Sequence, residues 1–145
     1  MITDMGAGFA SSPMRAHWPG WISTAIILIA GLVHAMSIAW PFPDFLWLGA
    51  GQPVWWLQIL ALAVLAWQLA RCTNWRSGAW LAWLFALAWL SGTFWWLFIS
   101  MHTYGGLPAA LAVLAVLGLS GVLALYFAVA GAVLVRWRPD STATR

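Results

Sequence analysis

The sequence predicts an all-α integral membrane protein, a four-span transmembrane helix bundle with both termini in the cytoplasm. Three observations support this prediction: 64% of the 145 residues are hydrophobic, only 6% are charged, and the arginines lie between or beyond long apolar segments. A soluble domain carries about a quarter charged residues. Because this chain has too few charges to cover its surface in water, we expect lipid to be its solvent.

The first predicted span covers residues 21–39 and follows a cytoplasmic N-terminal segment, residues 1–20. A spanning helix needs about 20 mostly apolar residues, and we interpret this one as a retained span rather than a cleaved signal. It ends at the Trp-Pro-Phe-Pro-Asp sequence at 40–44, where two prolines remove backbone donors. Residues 45–48 are apolar but too few to cross, so they predict an interfacial or re-entrant turn.

Three further apolar segments predict the second, third and fourth spans, at residues 54–70, 78–100 and 108–135. Pro108 suits the first turn of a helix, where its missing N–H would have no partner in any case. The predicted transmembrane domain therefore extends over residues 21–137, and a polar cytoplasmic tail follows at 138–145. Many of the fourteen tryptophans flank these spans, as indoles do at the level of the lipid headgroups.

The arginines predict the orientation. All six fall on one side of the four-span arrangement: Arg15, Arg71, Arg76, Arg136, Arg138 and Arg145. Positively charged residues are enriched in cytoplasmic segments, so both termini are predicted to be cytoplasmic. The connections at 41–53 and 102–107 then lie on the extracytoplasmic face.

The residue inventory argues against several classes of function. The sequence has no Glu, no Lys, and one cysteine, Cys72, without a neighbouring base. It has no phosphate-binding loop, dinucleotide fingerprint or HExxH zinc motif, and no basic run interleaved with aromatics as nucleic-acid binding would require. We therefore expect no catalytic residue, no metal site and no nucleic-acid partner within these residues.

Two histidines, His34 and His102, fall near the extracytoplasmic ends of their predicted spans. A bis-histidine haem is conceivable for such a pair, but no other haem feature accompanies it, so no cofactor is expected. His102 lies in a turn that water can reach, which favours it over His34 as a functional residue. For His34 the alternative is a hydrogen-bonded interfacial histidine. The adjoining Gly105-Gly106 pair predicts a tight turn that needs a positive φ angle.

Small residues recur at every fourth position of the last span and predict a ridge for close helix packing. They are Ser120, Ala124, Ala128 and Ala132. The alternative is an alanine-rich membrane helix without a specific partner. Trp83 and Trp89 lie within the third predicted span, and we expect them to pack between helices or to face lipid rather than to hold a cofactor.

The sequence GTFWWLFISMHTYGGLP at 92–108 resembles the N-terminal membrane region of bacterial apolipoprotein N-acyltransferases. That family has a small-residue and aromatic stretch, a Val/Ile-Ser-Ile/Met step and an aromatic-Gly-Gly-Met/Leu-Pro turn at the corresponding place. Two weaker matches flank it, SIAWPF at 37–42 and LALY at 123–126. The resemblance extends from about Thr24 to Trp137.

The resemblance implies a bacterial inner-membrane protein of lipoprotein maturation. The complete family enzyme transfers an acyl chain from a phospholipid to the α-amino group of a lipoprotein's N-terminal cysteine. It does so through a thioester on the cysteine of a Glu-Lys-Cys set in a nitrilase-like extracytoplasmic domain. This sequence departs from the pattern because it lacks Glu and Lys, and Cys72 falls on the predicted cytoplasmic side. No catalytic residue of the family carries over.

What the resemblance does carry over is a location near the lipid substrate. We expect Trp95, Trp96, His102, Tyr104, Gly105 and Gly106 to form the rim of a lipid-access surface. The alternative is that they only anchor and turn the helix pair at the membrane interface. Phospholipid is the expected ligand, and a separate chain with the remaining spans and the nitrilase-like domain is a possible partner.

Three interpretations of the whole chain follow. The first is a truncated or split membrane region of an apolipoprotein N-acyltransferase, inactive alone. The second is a standalone accessory or lipid-binding membrane subunit of a larger complex. The third is an unrelated Trp-rich subunit of a respiratory or photosynthetic complex.

Overall fold

The computed structural model describes residues 20–41 and 50–137, and 85% of these residues are helical, with no strand among them. The helices are α1 (Gly20–Ile38), α2 (Trp55–Arg71), α3 (Trp75–Thr93), α4 (Trp95–Ile99), which continues as a π-helical turn over Ser100–Tyr104, and α5 (Ala109–Arg136). The expectations for residues 1–19, the 42–49 connection and the 138–145 tail lie outside the described residues. The predicted all-α class is confirmed for the described part of the chain.

Two of the described helices, α1 and α5, are long and apolar enough to cross a membrane unaided. Helix α3 and the segment Trp95–Tyr104 meet the same criterion together, but a 50° bend separates them. Helix α2 is apolar but has only 17 residues. The described residues therefore contain two candidate spans, or three if the bent pair is one span. The four-span arrangement and the orientation of the termini stay predictions.

Helix α3 lies at the centre of the bundle and packs antiparallel to α5. The start of α3 contacts the end of α5: a Cβ atom at Gly131 would lie 2.6 Å from the Cβ of Ala82 and 2.7 Å from the carbonyl oxygen of Gly78. At this contact the only side chains between the two backbones are the hydrogen atoms of the glycines and the methyl group of Ala82. In lipid, where apolar side chains gain little by leaving the solvent, such close backbone packing is a main source of helix association.

On its other side α3 packs parallel to α1. A Cβ atom at Gly31 would lie 2.5 Å from the carbonyl oxygen of Phe85, and one at Gly92 would lie 2.8 Å from the Cβ of Ala35. Phe85 is fully buried at this contact. Helix α2 folds back along α1, and its start is tied there by the Val54 amide, which donates to the Ser37 carbonyl oxygen at 2.8 Å.

The core is built mainly from the α1, α2 and α3 side chains that these contacts enclose. Its buried members are Ile27, Ala30, Ala61, Leu81, Leu84 and Phe85. Helix α5 is mostly exposed, with leucine and valine side chains covering the faces that do not touch α3. Such apolar exposure fits a lipid environment and would be costly in water.

The third predicted span differs from the structure at both ends. Helix α3 begins at Trp75, three residues before the predicted start, because the Asn74 side chain caps it by accepting from the Arg76 amide at 3.0 Å. It ends at Thr93 rather than at Ser100. The Thr93 hydroxyl donates to the Trp89 carbonyl oxygen at 2.9 Å, a back-bond that bends apolar helices. The segment predicted as the third span thus consists of two helical pieces that meet at an angle of 50°, and its crossing of the membrane as one span stays a prediction.

The α3–α5 contact predicts that Gly131→Ala destabilises the bundle. The added methyl would press on the backbone of α3, and overpacking of this kind typically costs about 1–3 kcal/mol. The matched control is Gly118→Ala on the same helix, where a Cβ would have no neighbour within 4 Å. We expect thermal unfolding in detergent, followed by circular dichroism, to occur at lower temperature for the first variant only. Equal unfolding temperatures for the two variants would contradict this packing.

Candidate functional site

The bend after α3 projects a stack of aromatic rings along α4 and the π-helical turn. The Trp95 and Phe98 ring centroids are 5.0 Å apart, and those of Phe98 and His102 are 5.5 Å apart, with interplanar angles of 23° and 24°. Offset stacking of this kind is a favourable arrangement of aromatic rings. Phe98 was absent from the predicted site, although its spacing of three and four residues from Trp95 and His102 places it on their helical face.

His102 closes the stack and ties it to the turn that follows. Its Nδ1 atom lies 2.8 Å from the carbonyl oxygen of Leu107. A carbonyl oxygen can only accept, so Nδ1 carries the proton in this hydrogen bond. In the neutral ring the Nε2 atom is then an acceptor, and the side chain is exposed.

The turn requires glycine at two positions, each for a different structural reason. At Gly105 a Cβ atom would lie 2.7 Å from the Met101 carbonyl oxygen, and Gly106 has a φ of +67°. The prediction of a positive φ in this pair is confirmed at Gly106. The turn is held by the Gly105 amide, which donates to Ser100 at 3.1 Å, and the Leu107 amide, which donates to Met101 at 3.0 Å. The first of these bonds spans five residues, as a π-helical turn requires.

The remaining aromatic residues of the predicted site are highly exposed. Trp96 is 61% exposed and Tyr104 is 85% exposed. We define the aromatic rim as Trp95, Trp96, Phe98, His102 and Tyr104. It combines flat apolar rings with indole, imidazole and phenol groups, which suits contact with acyl chains on one side and headgroups on the other. It contains no carboxylate, amine or thiol and thus offers no nucleophile of the family's kind.

His34 lies in a different environment, inside the bundle. It is buried, with its ring centroid 4.8 Å from that of Trp89 and 5.8 Å from that of Phe85. Its Nδ1 atom is buried and has no hydrogen-bond partner among the described residues. The imidazole does have a hydrogen bond to the backbone of Gln58 in α2, and the alternative of a hydrogen-bonded interfacial histidine stays a prediction. His102 instead contacts Phe98 and Leu107, so the two histidines have separate sets of partners.

Trp83 and Trp89 of α3 pack between helices, which is one of the two placements expected for them. The Trp83 indole nitrogen donates to the Gly121 carbonyl oxygen of α5 at 3.0 Å. Trp89 meets Phe127 of α5 edge to face, with ring centroids 5.5 Å apart, and contacts His34 of α1 on the other side. Both side chains thus join α3 to its neighbours.

The four residues of the predicted small-residue ridge are not equally buried. Ser120 and Ala124 are fully buried, while Ala128 and Ala132 are half-buried. The buried face of α5 is instead completed by other residues. Its members are Ala112, Val116, Ser120, Ala124 and Gly131.

Cys72 caps the end of α2, half-buried, with its thiol 3.5 Å from the Gln68 carbonyl oxygen. It lies beyond the opposite end of α3 from the aromatic rim. Among the described residues no three His, Cys, Asp or Glu side chains come together in a way that could hold a metal ion.

Comparison with known proteins gives a consistent result. The profile of the apolipoprotein N-acyltransferase N-terminal domain matches residues 35–144. The chain is 48% identical over 116 residues to the apolipoprotein N-acyltransferase of Verminephrobacter eiseniae, a match that covers 77% of this chain and 20% of that protein. For the Bordetella bronchiseptica enzyme the identity is 42% over 122 residues, covering 82% and 20%. For Ralstonia nicotianae it is 49% over 76 residues, covering 52% and 14%. The match thus covers 14–20% of the length of these relatives.

The His102–Leu107 contact predicts a local effect of His102→Phe. Phenylalanine keeps a ring on Phe98 but loses the N–H donor, which removes a hydrogen bond that contributes about 1 kcal/mol. We expect amide hydrogen exchange at Gly105 and Leu107 to rise about fivefold, since the turn opens more often. Exchange in the middle of α5 serves as the internal control. Unchanged exchange in the turn would mean that the histidine does not hold it closed.

Proposed function

The chain belongs to the apolipoprotein N-acyltransferase family, and from this membership we propose that it serves as the membrane-embedded N-terminal domain of such an enzyme. The observation that carries the proposal is the match of the family's N-terminal domain over residues 35–144, which includes the aromatic rim. The reaction that this domain would serve is the transfer of an acyl chain from a phospholipid to a lipoprotein. We further propose a bacterial inner-membrane location with both termini in the cytoplasm, supported by the distribution of the arginines.

We propose that these 145 residues do not catalyse acyl transfer alone. The residue inventory supports this, because the resemblance assigns catalysis to a Glu-Lys-Cys set and the sequence contains neither Glu nor Lys. The nucleophile would have to come from elsewhere, since Cys72 lies beyond the opposite end of α3 from the rim. A polypeptide with the remaining spans and the nitrilase-like domain is the partner that completes the site in this proposal.

The role proposed for the aromatic rim is to guide phospholipid toward the catalytic domain. The stacked rings of Trp95, Phe98 and His102 present an apolar surface, and the exposed Trp96 and Tyr104 extend it. The Nε2 of His102, an exposed residue whose Nδ1 is bonded to Leu107, adds a polar atom at one end of the stack. Such a surface can contact an acyl chain along the rings and a headgroup at the imidazole.

Complementation tests the proposal for the whole chain. We expect the chain alone to fail to rescue a strain depleted of its apolipoprotein N-acyltransferase, because Glu and Lys, two of the three catalytic residue types, are missing. Co-expression with the Verminephrobacter eiseniae enzyme lacking its own matching N-terminal region should restore growth. Rescue by the chain alone would refute the claim of inactivity. Failure of the co-expressed pair, with both polypeptides present in the membrane, would favour a standalone subunit instead.

Substitutions in a full-length relative test the rim. Alanine at the positions that match His102 and Tyr104 should reduce lipoprotein N-acylation about tenfold at limiting phospholipid, with less effect at saturation, because only lipid access is impaired. The matched control is alanine at the position of Tyr126, a tyrosine on α5 that is 77% exposed and so comparable with Tyr104. Acylation that is unchanged in the rim variants would leave the rim as an interfacial anchor only.

A further inference from the structure

The aromatic rim lies on a helical hairpin that extends beyond the ends of α1 and α3. Parallel packing places Ala35 of α1 beside Gly92 of α3, so α1 reaches its last residue, Ile38, at the level where α3 ends. Helix α5 runs the other way, with Gly131 against Ala82. Because α5 has 28 residues and α3 has 19, about the first two turns of α5 lie past the end of α3.

The rim-bearing segment Trp95–Tyr104 packs against this extension of α5. Ala112 of the extension is fully buried, although α3 ends before it reaches that level. No residue of Trp95–Tyr104 is itself buried. The two segments and the turn between them therefore form one packed unit, residues 95–116, which we name the projecting hairpin.

The helix lengths show how far the projecting hairpin stands from the rest of the bundle. Helix α1, with 19 residues, is about 28 Å long and matches a hydrocarbon core of about 30 Å. Helix α5, with 28 residues, is about 42 Å long and exceeds that core by about 12 Å. Charged side chains are costly in hydrocarbon, so Arg136 at the end of α5 and Arg76 at the start of α3 favour the headgroup region at their end of the bundle. The excess length of α5 then emerges at the other end, where the projecting hairpin lies.

The composition of the projecting hairpin suits the headgroup layer. Trp95 and Trp96 are 60% and 61% exposed, and tryptophan is enriched at this level of a bilayer. Polar side chains follow at once, and all of them are exposed: Ser100, His102, Thr103 and Tyr104. The 50° bend reduces the rise of the segment Trp95–Tyr104 from about 15 Å to about 10 Å. Since the headgroup region adds about 5–8 Å to each side of the hydrocarbon core, a hairpin of this height extends through it.

We propose that the projecting hairpin stands in the headgroup layer of the extracytoplasmic leaflet, and that α3 crosses the bilayer without it. The rings of Trp95 and Trp96 then contact the glycerol and upper acyl region of phospholipids, and the Tyr104 hydroxyl donates to their ester or phosphate oxygens. In this arrangement α3 alone replaces the single third span predicted at 78–100. The proposal rests on the proposed function only in placing the bundle in a bilayer, and it does not depend on acyl transfer.

Site-directed spin labelling of the full chain measures the depth of the hairpin. Cys72→Ser removes the one native cysteine, and Ile99→Cys, Leu111→Cys, Val122→Cys or Val129→Cys then carries the nitroxide at an exposed position. The protein is placed in vesicles of dioleoyl-phosphatidylethanolamine and dioleoyl-phosphatidylglycerol, and collision rates with oxygen and with a water-soluble nickel complex give the depth of each label. Circular dichroism verifies that each variant keeps its helix content.

We expect the labels at Ile99 and Leu111 to lie level with the lipid phosphates. The label at Val122 should lie about 16 Å deeper than that at Leu111, which is the rise of the helix between the two positions. The matched control is Val129 on the same helix, where the label should be in the hydrocarbon and protected from the nickel complex.

Labels at Ile99 and Leu111 that lie as deep as the one at Val129 would overturn the proposal and show a tilted bundle with α5 immersed over its whole length. A label that is immersed at Ile99 but not at Leu111 would show a re-entrant segment and would also overturn it. Access of the nickel complex to Val122 and Val129 would instead contradict the membrane location itself, and with it the proposed function as well as the placement of the hairpin.

Discussion

Close backbone contact holds α3 between α1 and α5, and it depends on glycines that face the neighbouring helix on both sides. Gly31 brings α1 onto the Phe85 carbonyl, and Gly78 and Gly131 bring α3 and α5 together. In a bilayer the helices gain little from burying leucine or valine, since lipid tails are equally apolar. Dispersion contacts between closely approached backbones therefore supply much of the association. The bulky side chains are left on the outer faces, where they meet lipid.

The two ends of the central helix α3 have chemically different surroundings. Beyond its C-terminal end the chain bends and forms the aromatic rim, which has stacked rings and no acidic or basic residue other than His102 and Tyr104. Near its N-terminal end lie arginines of three helices, Arg71, Arg76 and Arg136. Membrane proteins are enriched in such cations on the cytoplasmic side, so the proposed orientation places the aromatic rim on the extracytoplasmic face.

Much of the helical layout could be predicted from the sequence, and the reasons are local. Long charge-free segments, the Pro108 start and the arginines that end α2 and α5 place three helices within a few residues of their observed bounds. The break at Thr93 was missed because hydropathy continues unchanged through it. The sequence does contain Thr93, whose hydroxyl makes the back-bond at the bend, and the neighbouring Gly92. Their effect on the helix depends on what α3 packs against. The number of spans also stays a prediction, because the length of an apolar segment does not determine how a bent helix crosses a bilayer.

The sequence by itself determined the solvent, the helical class and the family, because composition and a compact aromatic-Gly-Gly-Leu-Pro motif do not depend on packing. It also predicted a positive φ within the Gly105-Gly106 pair, and the structure places that φ at Gly106. Only the tertiary structure decided that Phe98 completes the stack between Trp95 and His102, and that Gly78 of α3 meets Gly131 of α5. Those pairings depend on where a bend falls and on which helix faces touch, which are set by contacts between residues distant in the chain.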